Sequence, residues 1–218
     1  MVMIREEIIR ILAKKTAAYT QPLINSIIDE YGKDPYLILI GCLLSLRAKD
    51  ITTIHVCRVL FNRVKTPEQL LALPESELRE IIFKTGFYQN KARALREVSR
   101  AVIEEFSGAV PDTYDQLISI KGVGPKTANL VLGMAFDVPS ICVDTHVHRI
   151  SNRLGLIKTT TVEQTEAELK KVLEKKDWIT WNKLLVMWGQ NMCVPISPKC
   201  SQCAISHLCK KVGVVKRR

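Results

Sequence analysis

Four cysteines near the end of the chain could hold a metal. They have the spacing Cys-x6-Cys-x2-Cys-x5-Cys and are Cys193, Cys200, Cys203 and Cys209. Thiolates are ligands of zinc and of iron–sulfur clusters. Only Cys200 and Cys203 form the close pair that is typical of structural zinc sites. The spacing therefore predicts a four-thiolate metal site and leaves the choice between zinc and an iron–sulfur cluster open.

A second segment, residues 117–129, carries the turn Gly122-Val123-Gly124 followed by Pro125. Glycines allow a tight turn and a close approach to another molecule, and proline is favoured at the first position of a helix. The first turn of a helix presents N–H groups and a partial positive charge to an anion. We expect a helix-hairpin-helix that binds a DNA backbone, with Lys121 and Thr127 at its edges. An ordinary helical hairpin is the alternative.

Lys126 lies in the first turn of the helix that follows this hairpin. The positive helix end disfavours a further positive charge and so favours the neutral amine. A neutral amine can attack a sugar carbon and form a Schiff base. The alternative is a solvated lysine or one that contacts a phosphate.

Asp144 follows an apolar run in the segment Val143-Asp144-Thr145-His146. Its local position predicts the N-cap of the next helix. An ionised carboxylate near an anomeric carbon could also stabilise positive charge there or move protons. His146 and His148 point in different directions on a helix, so we interpret them as structural or DNA-facing residues and not as metal ligands.

The elements that must position these residues are helices. Apolar residues recur every three or four positions in twelve segments, which are 4–18, 22–31, 36–47, 51–64, 67–73, 76–84, 90–106, 114–120, 125–136, 145–154, 162–175 and 179–191. Thr66, Thr113 and Thr161 each precede a glutamine by three residues, which is typical of a helix start. The expected fold class is all-α with short loops.

Composition restricts the class of protein further. The chain has 218 residues and a formal net charge of +10, and 47% of its residues are hydrophobic, so it can form a packed core. The charge indicates a polyanionic partner. No apolar run is long enough to span a membrane, and the first residues do not resemble a signal peptide. Seven cysteines, an odd number, favour a reducing intracellular compartment, the cytoplasm or nucleoid.

Three motifs together resemble the endonuclease III family. They are the hairpin from Ile120 to Asn129, the segment Val143-Asp144-Thr145-His146 and the four-cysteine ending. Two further loops are similar, Leu44–Asp50 and Gly86–Ala92. The similarity runs from about residue 20 to residue 210 in the same order and spacing.

The resemblance implies a monomeric base excision repair enzyme that binds damaged double-stranded DNA. It implies a six-helix barrel at 28–138, an iron–sulfur domain at 1–27 and 139–218, and a DNA cleft between the two. The four cysteines would hold a [4Fe-4S] cluster. Lys126 would displace the flipped-out base by attacking C1′, with help from Asp144, and strand cleavage by β-elimination would follow.

The resemblance also implies DNA contacts by Arg47, Phe87, Lys91 and His146, in addition to the hairpin. Arg47 stands where the family commonly has glutamine, and Phe87 stands where leucine usually enters the duplex. We expect both departures to bear on which lesion or opposite base is accepted. The alternatives are ordinary surface and core roles for these two residues. The leading hypothesis is a glycosylase and abasic-site lyase acting on oxidised pyrimidines. The alternatives are a monofunctional mismatch or uracil glycosylase and a non-catalytic DNA-binding module.

Overall fold

The computed structural model describes residues 2–218, and this part of the chain contains twelve α-helices and no strand. The helices are α1 (Val2–Thr16), α2 (Leu23–Tyr31), α3 (Pro35–Ser45), α4 (Asp50–Phe61), α5 (Pro67–Ala72), α6 (Glu75–Ile82), α7 (Tyr88–Phe106), α8 (Tyr114–Ser119), α9 (Pro125–Ala135), α10 (Thr145–Leu154), α11 (Val162–Val172) and α12 (Trp178–Asn191). The predicted all-α class is confirmed.

Two of the three predicted threonine caps form as the sequence indicates. The Thr66 hydroxyl accepts from the Gln69 amide, and the Thr161 hydroxyl accepts from the Gln164 amide. Thr113 behaves differently, because its hydroxyl bonds to the side-chain oxygen of Gln116 at 2.7 Å. The threonine-to-glutamine spacing therefore marks all three helix starts but fixes the hydrogen bond in only two of them.

The chain divides into two compact units, and one of them is Pro22–Val138, which contains α2 to α9. Its centre is α3, in which every residue from Tyr36 to Leu44 is buried. A side chain at Gly41 would collide with Ile27 of α2, so glycine allows these helices to approach closely. The Tyr36 hydroxyl and Ser99 of α7 share a buried hydrogen bond of 2.7 Å.

The other unit consists of the chain up to Gln21 together with Pro139–Arg218. It contains α1, α10, α11, α12 and the four-cysteine segment. Trp181 and Trp188 of α12 are buried in its core with Ile8 and Leu12 of α1. The Trp181 indole donates to the Ser151 hydroxyl at 3.2 Å, which satisfies a polar group in this core.

The two units meet in sequence at 21/22 and at 138/139. The boundary that the resemblance implies near residue 28 falls inside α2, which the structure assigns as a whole to the Pro22–Val138 unit. In residues 2–218, no helix has both the length and the apolar character needed to cross a membrane.

Candidate functional site

The hairpin between α8 and α9 has the backbone geometry that its glycines allow. Gly122 has a φ of 98°, in the region that favours glycine. The buried Val123 anchors the turn, and its amide donates to the Ile120 carbonyl at 3.0 Å. Both glycines of the turn are exposed. The turn is therefore held from inside while its backbone faces outward.

The start of α9 places Lys126 in the first helical turn. Pro125 occupies the first position, and the first intrahelical bond joins the Ala128 amide to the Gly124 carbonyl at 2.9 Å. Lys126 is exposed, whereas Thr127 is buried, with 4% of its surface exposed, and its contact with a phosphate stays a prediction. Lys121 is 86% exposed and lies 3.7 Å from Glu97.

Arg47 and Phe87 lie beside each other. The Arg47 guanidinium carbon is 5.7 Å from the centre of the Phe87 ring. Both residues have a left-handed backbone, with φ of 55° and 49°, which costs about 1–3 kcal/mol each and is concentrated at functional sites. They line one pocket with Gly122 of the hairpin, so the structure brings three of the predicted contact segments together.

Lys91 does not lie on the surface. It is 8% exposed, and its ammonium donates to the carbonyls of Leu44 at 2.7 Å and Thr85 at 2.9 Å. Burial lowers the pKa of this lysine. The charge of Lys91 is therefore taken up by backbone carbonyls, and the contact of its side chain with DNA stays a prediction.

Asp144 forms the N-cap of α10, as its position in the sequence predicts. One carboxylate oxygen accepts from the amides of His146 at 2.9 Å and Val147 at 2.8 Å. These bonds fix the side chain's orientation. The His146 ring packs against Gly189 of α12 and lies 3.2 Å from the Arg149 guanidinium. His146 is thus half-buried within its own unit.

The four cysteines of the C-terminal segment line one pocket with apolar residues that include Ile150 and Trp188. Within residues 2–218, no group of three His, Cys, Asp or Glu side chains is arranged to hold a single metal ion. A zinc ion requires four sulfurs at about 2.3 Å from one point. A pocket lined by four thiols offers the donor set that zinc and iron–sulfur clusters both use.

N–H donors surround these sulfurs. Arg153 donates to the Cys193 sulfur at 3.4 Å, and the Lys211 amide lies 3.4 Å from the Cys209 sulfur. Burial raises the pKa of Cys203, and the Trp188 indole N–H opposes this effect. That indole N–H is buried and has no hydrogen bond of ordinary geometry. Donors of this kind stabilise thiolates that ligate iron.

Two arginines of α10 position the four-cysteine segment, and the sequence interpretation missed both. Arg149 donates to the Cys193 carbonyl at 2.9 Å, and Arg153 donates to the carbonyls of Val194 at 2.8 Å and Pro195 at 2.6 Å. Burial lowers the pKa of Arg149. Their spacing of four residues on one helix face was the available signal, but only the fold shows which carbonyls they meet.

Comparison with known proteins identifies the class of this molecule. Residues 40–175 match the family model described as HhH-GPD superfamily base excision DNA repair protein. Endonuclease III of Thermotoga maritima is 41% identical over 177 residues, which are 81% of this chain and 83% of that protein. Endonuclease III of Bacillus subtilis is 38% identical over 191 residues, 84% of this chain and 87% of that protein.

Solved structures with a similar fold indicate the same class. A solved structure of a trapped endonuclease III–DNA covalent intermediate has a TM-score of 0.78 and 33% identity, covering 94% of this chain and 95% of that one. The fold and hairpin thus define a helix-hairpin-helix protein of base excision DNA repair. Within that class, the chain belongs to the endonuclease III family. The expected function, a base excision repair glycosylase and lyase, is confirmed at the level of this family.

Proposed function

We propose that this protein removes oxidised pyrimidines from double-stranded DNA and then cleaves the strand at the resulting abasic site. The observation that carries the proposal is the hairpin, whose exposed glycine turn is followed at once by an exposed lysine in the first turn of α9. A phosphate held by the turn and the helix start brings the DNA backbone to the lysine amine.

Lys126 is the proposed nucleophile. Its neutral amine forms a bond to C1′ of the damaged nucleotide, and the bond from C1′ to the base breaks as the base leaves with a proton. The sugar ring then opens to a protonated Schiff base. Loss of a proton from C2′ breaks the bond between C3′ and its oxygen, which cuts the strand 3′ to the lesion.

Asp144 is the proposed charged partner in this reaction. Two backbone amides donate to one oxygen of its carboxylate, which limits how far the side chain can reorient. A fixed negative charge stabilises the positive charge that develops on the sugar as the base departs. An ionised carboxylate of this kind can also help to move protons during the reaction.

Arg47 and Phe87 are proposed to enter the duplex where the damaged base leaves it. Phe87 is 61% exposed although it is a large apolar residue, and Arg47 lies against its ring. An exposed aromatic side chain can unstack neighbouring bases. Glutamine and leucine are common at these positions in the family, so this pair is the part of the chain that we expect to set the preferred lesion.

Replacement of Phe87 by alanine is expected to slow base excision by about 10- to 100-fold, because stacking on an aromatic ring contributes roughly 1–3 kcal/mol per base. Phe87→Leu is the matched control, since leucine still fills the gap, and it should retain most of the rate. Single-turnover base release from a duplex with one oxidised pyrimidine measures both variants. An unchanged rate in Phe87→Ala would contradict the role of this residue.

Cys193, Cys200, Cys203 and Cys209 are proposed to hold a [4Fe-4S] cluster, and the unit that contains them is proposed to be the iron–sulfur domain. The Pro22–Val138 unit, which has eight helices, is proposed to contain the domain that the resemblance describes as a six-helix barrel at 28–138. The support is the shared pocket, the surrounding N–H donors and membership of the family. When bound, the cluster ties together a segment that contains only short 3-10 turns. Arg153 and the Lys211 amide would then stabilise the ligating sulfurs.

Replacement of Cys203 by serine is expected to remove the visible brown absorption and to lower the unfolding temperature by roughly 10 °C. Iron and acid-labile sulfide content, with thermal unfolding, measure the change. Cys142→Ala is the control, because Cys142 is a buried core cysteine of the same unit and its variant should keep its iron. One zinc per chain in the wild type would refute the cluster.

The proposed function is tested by resolving base release and strand cleavage separately on duplexes that carry an oxidised pyrimidine, uracil, a mismatch or an abasic site. We expect release of the oxidised pyrimidine together with cleavage, and cleavage of the abasic duplex. Base release without cleavage would establish the monofunctional alternative. Binding with no product from any duplex would establish the non-catalytic alternative.

A further inference from the structure

Lys91 occupies an unusual position for a lysine. Its ammonium is buried and donates to two backbone carbonyls, those of Leu44 and Thr85. The Leu44 carbonyl lies in the last turn of α3, and the Thr85 carbonyl ends the 3-10 turn Phe83–Thr85 before α7. Helix ends carry partial negative charge and leave carbonyls without helical partners. One cation thus caps two chain segments that are 41 residues apart in sequence, from Leu44 to Thr85.

The Leu44 carbonyl is available because of how α3 ends. In a continuing helix it would accept from the Ala48 amide, but that amide donates to Ser45 at 3.0 Å. The chain turns here into the left-handed conformation of Arg47. The ammonium of Lys91 therefore replaces a helical bond at the point where the Arg47 loop leaves α3.

Lys91 is joined to the Phe87 loop on both sides. Its ammonium binds Thr85, two residues before Phe87, and its own amide donates to the Phe87 carbonyl at 3.0 Å. Phe87 itself has a left-handed backbone and caps α7 without any side-chain bond. The amide bond is the ordinary first helical bond of α7, so the bond that depends on the lysine side chain is the one from the ammonium to Thr85.

We propose that Lys91 is a positioning residue that holds the Arg47 loop and the Phe87 loop in register, so that their two side chains form one wedge. This inference rests on the proposed role of Arg47 and Phe87 in unstacking the duplex. It assigns the lysine no contact with DNA. Its ammonium fixes the two backbones from inside, and Arg47 and Phe87 carry the interaction with the bases.

The test is a measurement of unstacking that does not depend on the chemistry. The probe is a duplex with a non-cleavable abasic analogue and 2-aminopurine next to it, whose fluorescence rises when the base is unstacked. Lys91→Met keeps the length of the side chain and removes its donors and charge. At a saturating concentration, the Lys91→Met protein should produce a much smaller rise in 2-aminopurine fluorescence than wild type does. It should also excise a damaged base about 100-fold more slowly, as is typical when reacting groups are misplaced by about 1 Å.

Lys84→Met is the matched control, because Lys84 is an exposed lysine of the same 3-10 turn. Removing it costs the same charge without removing the two carbonyl bonds, so its fluorescence rise should equal that of wild type. The salt dependence of DNA binding separates the two explanations for Lys91. A lysine that contacts a phosphate reduces the slope by about one when it is lost, whereas Lys91→Met should leave the slope unchanged.

A double-mutant cycle shows whether Lys91 acts through the wedge. In the Phe87→Ala background, Lys91→Met should lower the fluorescence and the rate by a smaller factor than it does in wild type, since one of the two side chains that it positions is already absent. Should Lys91→Met fail to fold, Lys91→Gln serves instead. Its shorter amide can reach one carbonyl but not both, and we expect a loss of about ten-fold in the excision rate, or 1.4 kcal/mol.

Each outcome decides the inference. The inference is overturned if Lys91→Met, or Lys91→Gln in its place, gives the full fluorescence rise of wild type. It is also overturned if the substitution of Lys91 lowers the fluorescence and the excision rate by the same factor in the presence and in the absence of Phe87. A wild type that unstacks the probe but releases no base from any lesion would refute the proposed function and leave the inference standing. A wild type that produces no rise at all would refute the wedge and Lys91's role together.

Discussion

Lys126→Ala is expected to abolish strand cleavage at abasic sites, with a fall in the rate of at least about 10³-fold, as is typical when a covalent nucleophile is removed. The physical reason is that no Schiff base can form, so the proton at C2′ keeps its ordinary acidity and the bond at C3′ stays intact. The measurement is single-turnover cleavage of an abasic duplex resolved by denaturing electrophoresis.

The fold should be unaffected by this substitution. Lys126 is exposed, and surface substitutions of this kind change stability by about 0.5 kcal/mol or less. Lys121→Ala is the matched control, because it removes a lysine from the other side of the same hairpin. That variant should bind DNA more weakly and with a lower salt slope, yet still cleave at saturation. Comparable cleavage by Lys126→Ala and wild type would contradict the account.

Asp144→Asn is expected to slow base excision by about 10²- to 10⁴-fold. Asparagine is as good an N-cap as aspartate, so α10 should keep its start while the negative charge is lost. Thermal unfolding should therefore be nearly unchanged. The measurement is single-turnover release of an oxidised pyrimidine, together with cleavage of a preformed abasic site.

Asp144→Ala separates the two roles of this carboxylate. It removes the cap as well as the charge and should destabilise the protein by about 1 kcal/mol more than asparagine does. If both variants lose activity equally while only alanine loses stability, the charge is responsible for catalysis. Full activity in Asp144→Asn would reduce Asp144 to a structural cap and remove it from the mechanism.

Much of the fold could be predicted because the signals are local. Apolar periodicity located the helices, and the hairpin could be recognised because Gly122 must adopt a positive φ and Pro125 must begin a helix. The N-cap role of Asp144 is equally local. The spacing of the cysteines showed that four thiolates lie near one another in sequence, and the structure places all four around one pocket.

The sequence does not show which contacts form where distant segments meet. Lys91 follows an asparagine in a polar stretch and looks like a surface residue, yet its acceptors depend on where α3 ends. No local pattern shows that the Leu44 carbonyl lacks its helical partner. The burial of Thr127 and the packing of His146 against Gly189 are tertiary results of the same kind. The bonds from the two arginines of α10 to the four-cysteine segment also depend on contacts between distant parts of the chain.

The central claim is that one lysine amine forms the covalent bond to DNA. Reduction with borohydride during turnover on an abasic duplex converts the Schiff base into a stable amine, and mass analysis of the digested adduct identifies the modified residue. The account predicts an adduct on Lys126 of the wild type and none in Lys126→Ala. An adduct on a different amine, or no adduct from a wild type that still cleaves the strand, would contradict it.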